Sequence, residues 1–263
     1  MSSSTSSETG GRWIPLESNP DVFNLWSKKA GVLANSAHFE DVYGLDEELL
    51  AMVPQPVRAV VLLFPIDSEG DKKRNVEDER IAREGQPKID DTIFWVKQTI
   101  PNACGTIGLI HALANSGVTF APTSVLQKFI FQCEGKTPLE RAHLLETTPL
   151  FANIHAESAS SEVNQTAAKV DTDLHFTCFV EAPDSDFRKA AKGEDVSEEA
   201  INDKKSTGMR LIELDGRRAG PVDHGDCKDL LKDVATLVKA RYITSSSSVY
   251  FSLMALSETP EEK

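Results

Sequence analysis

Cysteine is scarce in this chain. Four thiols, at positions 104, 133, 178 and 227, are spread over 263 residues. None forms a C-x-x-C pair and no Cys/His cluster has zinc-ligand spacing, which excludes a zinc finger or ribbon and a disulfide-stapled scaffold. Basic residues are also short: 28 Lys and Arg stand against 41 Asp and Glu, a formal charge of −13. Phosphate backbones need a basic surface, so no nucleic-acid partner is expected. An acidic surface steers toward basic partners and also serves plain solubility. Long apolar runs are missing. The longest, Val57 to Phe64, is interrupted by Arg58 and falls far short of the ~20 residues a bilayer-spanning helix needs. Residues 1–11 are rich in Ser, Thr and Gly and lack the basic stretch and apolar core of a signal peptide. Few, scattered thiols then point to a reducing location, cytoplasm or nucleus. Residues 1–11 and 258–263 read as disordered tails. The 12–257 remainder is long enough to bury one large core.

Within it, Asn19-Pro20 reads as the capped start of a helix that Gly31 ends. Asp46 to Met52 reads as a second, short helix, and Val57 to Ile66 as a buried strand. Val76 to Gln86 reads as a polar helix or a loop, and Thr92 to Val96 as a strand. Helices are expected over Ala103 to Asn115, Ser124 to Cys133 and Pro138 to Leu145, the last with a Thr137/Glu140 capping box. Leu174 to Val180 and Met209 to Leu214 read as strands, Asp226 to Arg241 as an amphipathic helix, and Ser247 to Leu256 as a final strand. Helices cluster early and strands late, which favours an α+β domain with a largely antiparallel sheet. Asn153 to Asp171 has little apolar periodicity and reads as a long functional loop. The charged stretch Asp184 to Thr207 reads as a solvated surface insertion.

Cys104 stands where an extended run gives way to a helix. At a helix N-terminus, unpaired backbone N–H groups and the positive dipole end favour thiolate over thiol. Gln98, six residues earlier, supplies a neutral amide donor for a carbonyl oxygen lying over the sulfur. A cysteine nucleophile also wants a base, and an acid to orient that base. His111 is on the same helix, but a rise of ~1.5 Å per residue carries it roughly 10 Å along the axis, so it reads as a satisfied helix histidine. His38, His143, His155 and His224 lie in polar or loop-like contexts. His175 opens a strand directly after the long loop. Asp215 precedes Gly216 at a strand end, where turn chemistry alone would also explain it. Strand parity turns Cys178 away from His175. Cys133 reads as core, and Cys227 as an exposed thiol opening a helix.

These residues sit in longer strings that resemble a known family. Arg12-Trp13-Ile14-Pro15-Leu16-Glu17-Ser18-Asn19-Pro20, Asp41-Val42-Tyr43-Gly44-Leu45, Met52 to Val57, Gln98 to Leu109, Asp173-Leu174-His175-Phe176 and Glu213-Leu214-Asp215-Gly216-Arg217 are similar, in order, to segments of the ubiquitin C-terminal hydrolases. These are papain-like deubiquitinating cysteine peptidases. The resemblance implies an α/β/α layered single domain over 12–257, a knotted backbone, and a crossover loop at 153–171 over the active site. It implies Cys104 as nucleophile, His175 as general base and acid, Asp215 as its orienting group, and Gln98 in the oxyanion hole, with neither metal nor cofactor. Substrate-facing residues would be Pro15, Leu16, Glu17, Asn19, Pro20, Ala159, Gln165, Val249, Tyr250 and Phe251. The implied partner is ubiquitin, whose tail side is basic, or a ubiquitin-like modifier such as NEDD8. The implied leaving groups are small or unfolded adducts that fit beneath the loop. The stretch 184–207 is an insertion relative to compact members, and no long C-terminal extension like that of the larger ones is seen, so a free-standing enzyme is expected, with a monomer as the default. A ubiquitin-binding module without turnover is the rival reading, which the intact Gln98, Cys104, His175 and Asp215 oppose.

Overall fold

Val57–Pro65 (β2) is apolar on both faces, and the sheet explains why. It is paired with Leu174–Pro183 (β3) on one side and Ser252–Glu258 (β6) on the other. Ala59 and Val61 point into one core, Val60, Leu62 and Phe64 into a second, the period-2 alternation of a strand buried on both sides. The structure, a computed structural model, describes residues 13–161, 173–191, 207–244 and 248–259. Ala37–Asp41 (β1), Met209–Leu214 (β4) and Val222–Asp226 (β5) complete the sheet among the described residues. Its order is β1-β6-β2-β3-β4-β5, antiparallel at every pairing.

Helices cover both faces. On one lie Pro20–Ala30 (α1), Cys104–Ala114 (α4), Val125–Gln132 (α5), Pro138–Glu146 (α6) and Pro149–Ala159 (α7). On the other lie Glu47–Leu50 (α2) and Leu230–Val238 (α9), the latter running on into a π-helical turn, Lys239–Ile243. Ser68–Glu84 (α3) and Ser185–Ala191 (α8) are the remaining described helices. This is the layered α+β domain expected from the sequence. The capping expectations hold: Asn19 caps α1, Pro20 opens it, and Thr137 with Glu140 forms a complete capping box on α6.

Several elements differ from expectation. Thr92 to Val96 is no strand; Phe94 exchanges hydrogen bonds with the Asn115 side chain and Val96 donates to His111, so side chains of α4 and its C-cap satisfy its backbone instead of a sheet neighbour. The undecided polar stretch is helix, starting earlier than read, at the Asp67 cap. The amphipathic helix starts at the Asp229 cap, because Asp226 still belongs to β5. The last strand begins at Ser252 and includes Glu258, which pairs with Ala37 in register and with the Arg58 guanidinium, so 258 is not tail. β1 and β2 precede most of the helices, correcting the helices-first order. The expected long loop is helical as far as Ala159, since Phe151 and Ile154 pack into the core; the rest of it, 162–172, lies outside the described residues. The charged insertion opens as α8, and its 192–206 portion also lies outside them.

Gly31 ends α1 with φ +103°, and a Cβ there would sit 2.1 Å from the Cβ of Ser124, the α5 cap. Gly31→Ala combines left-handed strain with that overlap, so it should cost about 2–4 kcal/mol. A fall in the urea midpoint with unchanged slope is expected; an unchanged midpoint would show that the junction yields freely.

Candidate active site

Cys104 is the first residue of α4. The turn before it is held open by Asn102 at φ +62°, whose Nδ2 donates to the Trp13 carbonyl (2.9 Å), while the Trp13 N–H donates to the Pro101 carbonyl (3.2 Å). Leu16 then packs on α4 so closely that a Cβ on Gly105 would stand 3.1 Å from it. The sulfur is half-buried and hydrogen-bonded to the His175 side chain, with the backbone N–H groups of Phe176 and Gly105 beside it.

His175 is buried near the start of β3, and its Nε2 lies 2.7 Å from Asp215 Oδ1. That leaves Nδ1 for the sulfur. Asp215 Oδ1 also accepts from the Arg217 N–H (2.8 Å), and the Arg74 guanidinium of α3 stands 3.7 Å from Oδ2. The same guanidinium lies over the Phe64 ring, which in turn meets the His175 ring edge-on. The end of β4 is pinned from the other side. Trp95 Nε1 donates to the Asp215 carbonyl and the Gln98 N–H to the Gly216 carbonyl (2.8 Å). His111 donates Nδ1–H to the Leu214 carbonyl and accepts the Val96 N–H on Nε2. Burial holds His111 neutral, down to about 4. It is the satisfied helix histidine the sequence suggested, and it ties α4 to both neighbouring segments.

The electrostatics favour an ion pair. Burial alone would raise the Cys104 thiol, but the hydrogen bond and charge of His175, aided by the two backbone N–H groups, outweigh it and hold the thiol below its ordinary value. Burial would likewise lower His175; the charge and hydrogen bond of Asp215, then the sulfur, lift it to about 9. For Asp215, burial opposes and His175, Arg74 and the Arg217 N–H together win, keeping it well below the carboxylate range. The other thiols are inert core groups: burial pushes Cys133 to about 11, Cys227 to about 12 and Cys178 higher still. Cys227 is therefore not an exposed thiol; it precedes α9 and is 2% exposed.

A cavity of about 340 Å³ opens at the sulfur, walled by Pro15, Leu16, Glu17, Ser18, Leu63, Asn102, Leu174, Phe176 and the stretch Val249 to Ser252. Of the substrate-facing residues expected, Pro15, Leu16, Glu17, Val249, Tyr250 and Phe251 line it. Asn19 and Pro20 do not, because they form the cap and first turn of α1. Ala159 is fully buried in the helical core, so it offers no surface to a substrate. Gln165 lies outside the described residues. Gln98 donates Nε2 to the Ile100 carbonyl over a long 3.3 Å, and its Oε1 is buried without a partner among the described residues. Sequence reading missed Arg74, which lies between the matched strings and just before the stretch left undecided, and Asn102, whose positive φ is a known habit of asparagine. It also placed His155 and His224 in loops. His155 lies on α7, and His224 on β5 with Nε2 2.8 Å from the buried Glu213 carboxylate.

A thiol at a helix start, hydrogen-bonded to an imidazole that a buried carboxylate holds, defines the site of a cysteine hydrolase. Residues 13–243 match the family described as ubiquitin carboxyl-terminal hydrolase, family 1. The chain is 36% identical to ubiquitin carboxyl-terminal hydrolase 3 of Arabidopsis thaliana, over 98% of this chain and 99% of that one. It is 33% identical to human ubiquitin carboxyl-terminal hydrolase isozyme L1, over 92% and 96%. Among solved structures, the Trichinella spiralis UCH37 catalytic domain bound to ubiquitin vinyl methyl ester shares the fold, with TM-score 0.64 at 21% identity over 96% of this chain and 99% of that one. The chain belongs to the ubiquitin carboxyl-terminal hydrolase family.

The two pKa directions fix the pH behaviour of the site. Cys104 lies below its ordinary value and His175 above its own, at about 9, so the thiol ionises before the imidazolium loses its proton and the two charges coexist over a window that closes at about 9. Alkylation of Cys104 by iodoacetamide should therefore rise to its plateau at a lower pH than an ordinary cysteine thiol does. His175→Asn removes the lowering partner and leaves burial, so the neutral-pH rate should fall by about tenfold or more. A wild-type rate still rising through pH 9 would count against the ion pair.

Proposed function

We propose that this protein is a thiol-type ubiquitinyl hydrolase that releases small or unfolded adducts from the C-terminal glycine of ubiquitin. The observation that carries the reading is the Cys104–His175–Asp215 series opening onto the apolar cavity, in a chain of this family. The likeness to a ubiquitin-bound catalytic domain supports ubiquitin as partner. So do Val249 and Tyr250, at 85% and 72% exposed beside the cavity, more apolar surface than a small ligand would need left open.

In this reading the Cys104 thiolate attacks the glycine carbonyl carbon. A C–S bond forms as the carbonyl electron pair moves to oxygen. The Cys104 backbone N–H and Gln98 Nε2 receive that oxyanion; the long bond from Gln98 to Ile100 is weak enough to be exchanged for a charged acceptor. His175 gives its proton to the departing amine as the C–N bond breaks. Water then attacks the thioester, His175 takes its proton, and the thiolate leaves. Asp215 keeps the ring oriented and its positive form stable throughout. Action as a monomer, and residence in a reducing compartment such as cytoplasm or nucleus, complete the reading; the four unpaired thiols support the latter.

Turnover of a ubiquitin C-terminal amide reporter tests it. Wild type should cleave and Cys104→Ser should not. Gln98→Ala should keep KM and lose about 10²–10³ in kcat. A wild type without turnover would sink the function; full turnover by Gln98→Ala would remove only the oxyanion role.

A further inference from the structure

One wall of the cavity, Pro15 to Ser18, has no regular secondary structure. A buried histidine touches the backbone at the residue just before that wall. His155, on α7 and 2% exposed, places Nε2 2.6 Å from the Ile14 carbonyl and Nδ1 2.9 Å from Thr106 Oγ1. The Trp13 ring packs on the imidazole at 4.3 Å between centroids. A carbonyl oxygen only accepts, so Nε2 carries the proton and Nδ1 accepts from the Thr106 hydroxyl. Thr106 is two residues beyond Cys104 on the same helix. One rigid ring thus fixes the spacing between the backbone that leads into the wall and the nucleophile's helix. Burial keeps the ring neutral, down to about 4, so this tautomer persists at working pH.

We propose that His155 is a positioning residue for substrate binding, setting the distance between the Pro15–Ser18 wall and α4 and hence the width of the channel that receives the ubiquitin tail. The inference rests on the hydrolase reading above. Both ring nitrogens are committed to Ile14 and Thr106, so His155 acts on the wall and takes no part in proton transfer at the sulfur. An amide cannot span both partners. Glutamine reaches the Nε2 position and keeps the donor to Ile14, whereas asparagine reaches only the Nδ1 position and leaves that carbonyl without this donor.

The test is steady-state cleavage of a ubiquitin C-terminal amide reporter by the full chain as wild type, His155→Asn and His155→Gln, with the iodoacetamide rate of Cys104 and the Tm measured on each. Asparagine should raise KM about tenfold with kcat within about twofold and the alkylation rate unchanged. Glutamine should recover most of the KM. A purely structural role would lower Tm, kcat and alkylation together in both variants, and that result, or a KM unmoved by asparagine, overturns the inference. Should His155→Asn fail to fold, His155→Met, of similar bulk with neither bond, carries the same expectation and the same overturning result. Wild type that turns over with an unmoved KM in the variants removes this inference alone. Wild type without turnover removes the hydrolase reading, and the inference with it.

Discussion

The contact between the Cys104 sulfur and the His175 ring organises the site, and it exists only because Asp215 lies behind it. Both His175 and Asp215 are almost wholly out of water. Removing two charges from solvent costs several kcal/mol per ion unless partners repay it. Here the repayment is itemised in the geometry: a 2.7 Å bond between the two, the Arg217 N–H on the carboxylate, Arg74 on its other oxygen, and the sulfur on the far side of the ring. Subtract Asp215 and burial would drive the imidazole toward its neutral form, and the thiol upward with it. Reactivity at position 104 is thus decided at position 215.

Antiparallel pairing is what makes that possible between residues forty apart. β3 and β4 are in register at Cys178 with Leu214, so continuing the ladder brings the beginning of β3 and the residue after β4 to the same end of the sheet. α4 lies across β3 with Cys104 at that same end, where the N–H of Phe176 reaches the sulfur. The residues that hold this end together come from loops and helix sides: Trp95, Gln98 and His111 grip the backbone from Leu214 to Gly216. Rigid elements supply direction, and the hydrogen bonds between them fix the spacing that acid–base chemistry requires.

The parts of this arrangement that were legible from the sequence share a property: their signal is local or sits in a long contiguous string. Asn19-Pro20 with Gly31, the Thr137/Glu140 box and the apolar run of β2 each declare themselves within a dozen residues, and Gln98 to Leu109 carries the nucleophile segment whole. What failed was of two kinds. β1 and β5, as Ala-His-Phe-Glu-Asp and Val-Asp-His-Gly-Asp, carry too little apolar alternation to announce a strand; they are edge strands held by one neighbour each. Thr92 to Val96 has strand composition, but its partners are Asn115 and His111, and no window of sequence shows that. Ala159 was expected to face substrate because the resemblance put it in the crossover loop, whereas Phe151 and Ile154 commit that part of α7 to the core.

α3 is the element least explicable by burial. None of its residues is buried, so the hydrophobic effect does not dock it. Charge does. Besides Arg74, its Glu77 meets Arg218 and Arg241, and its Asp78 meets Arg218. Arg218 also stands 3.5 Å from Glu213, a buried carboxylate on β4, which accepts from Tyr242 and His224 as well. Glu213 and Asp215 repel each other across one residue, each making the other harder to ionise. Two carboxylates on one buried strand end therefore need cations nearby, and α3 both supplies one in Arg74 and, through Glu77 and Asp78, holds a second in place. A helix that looks like solvated surface in the sequence is, in the fold, the counter-charge that lets an ionised aspartate sit behind the active imidazole.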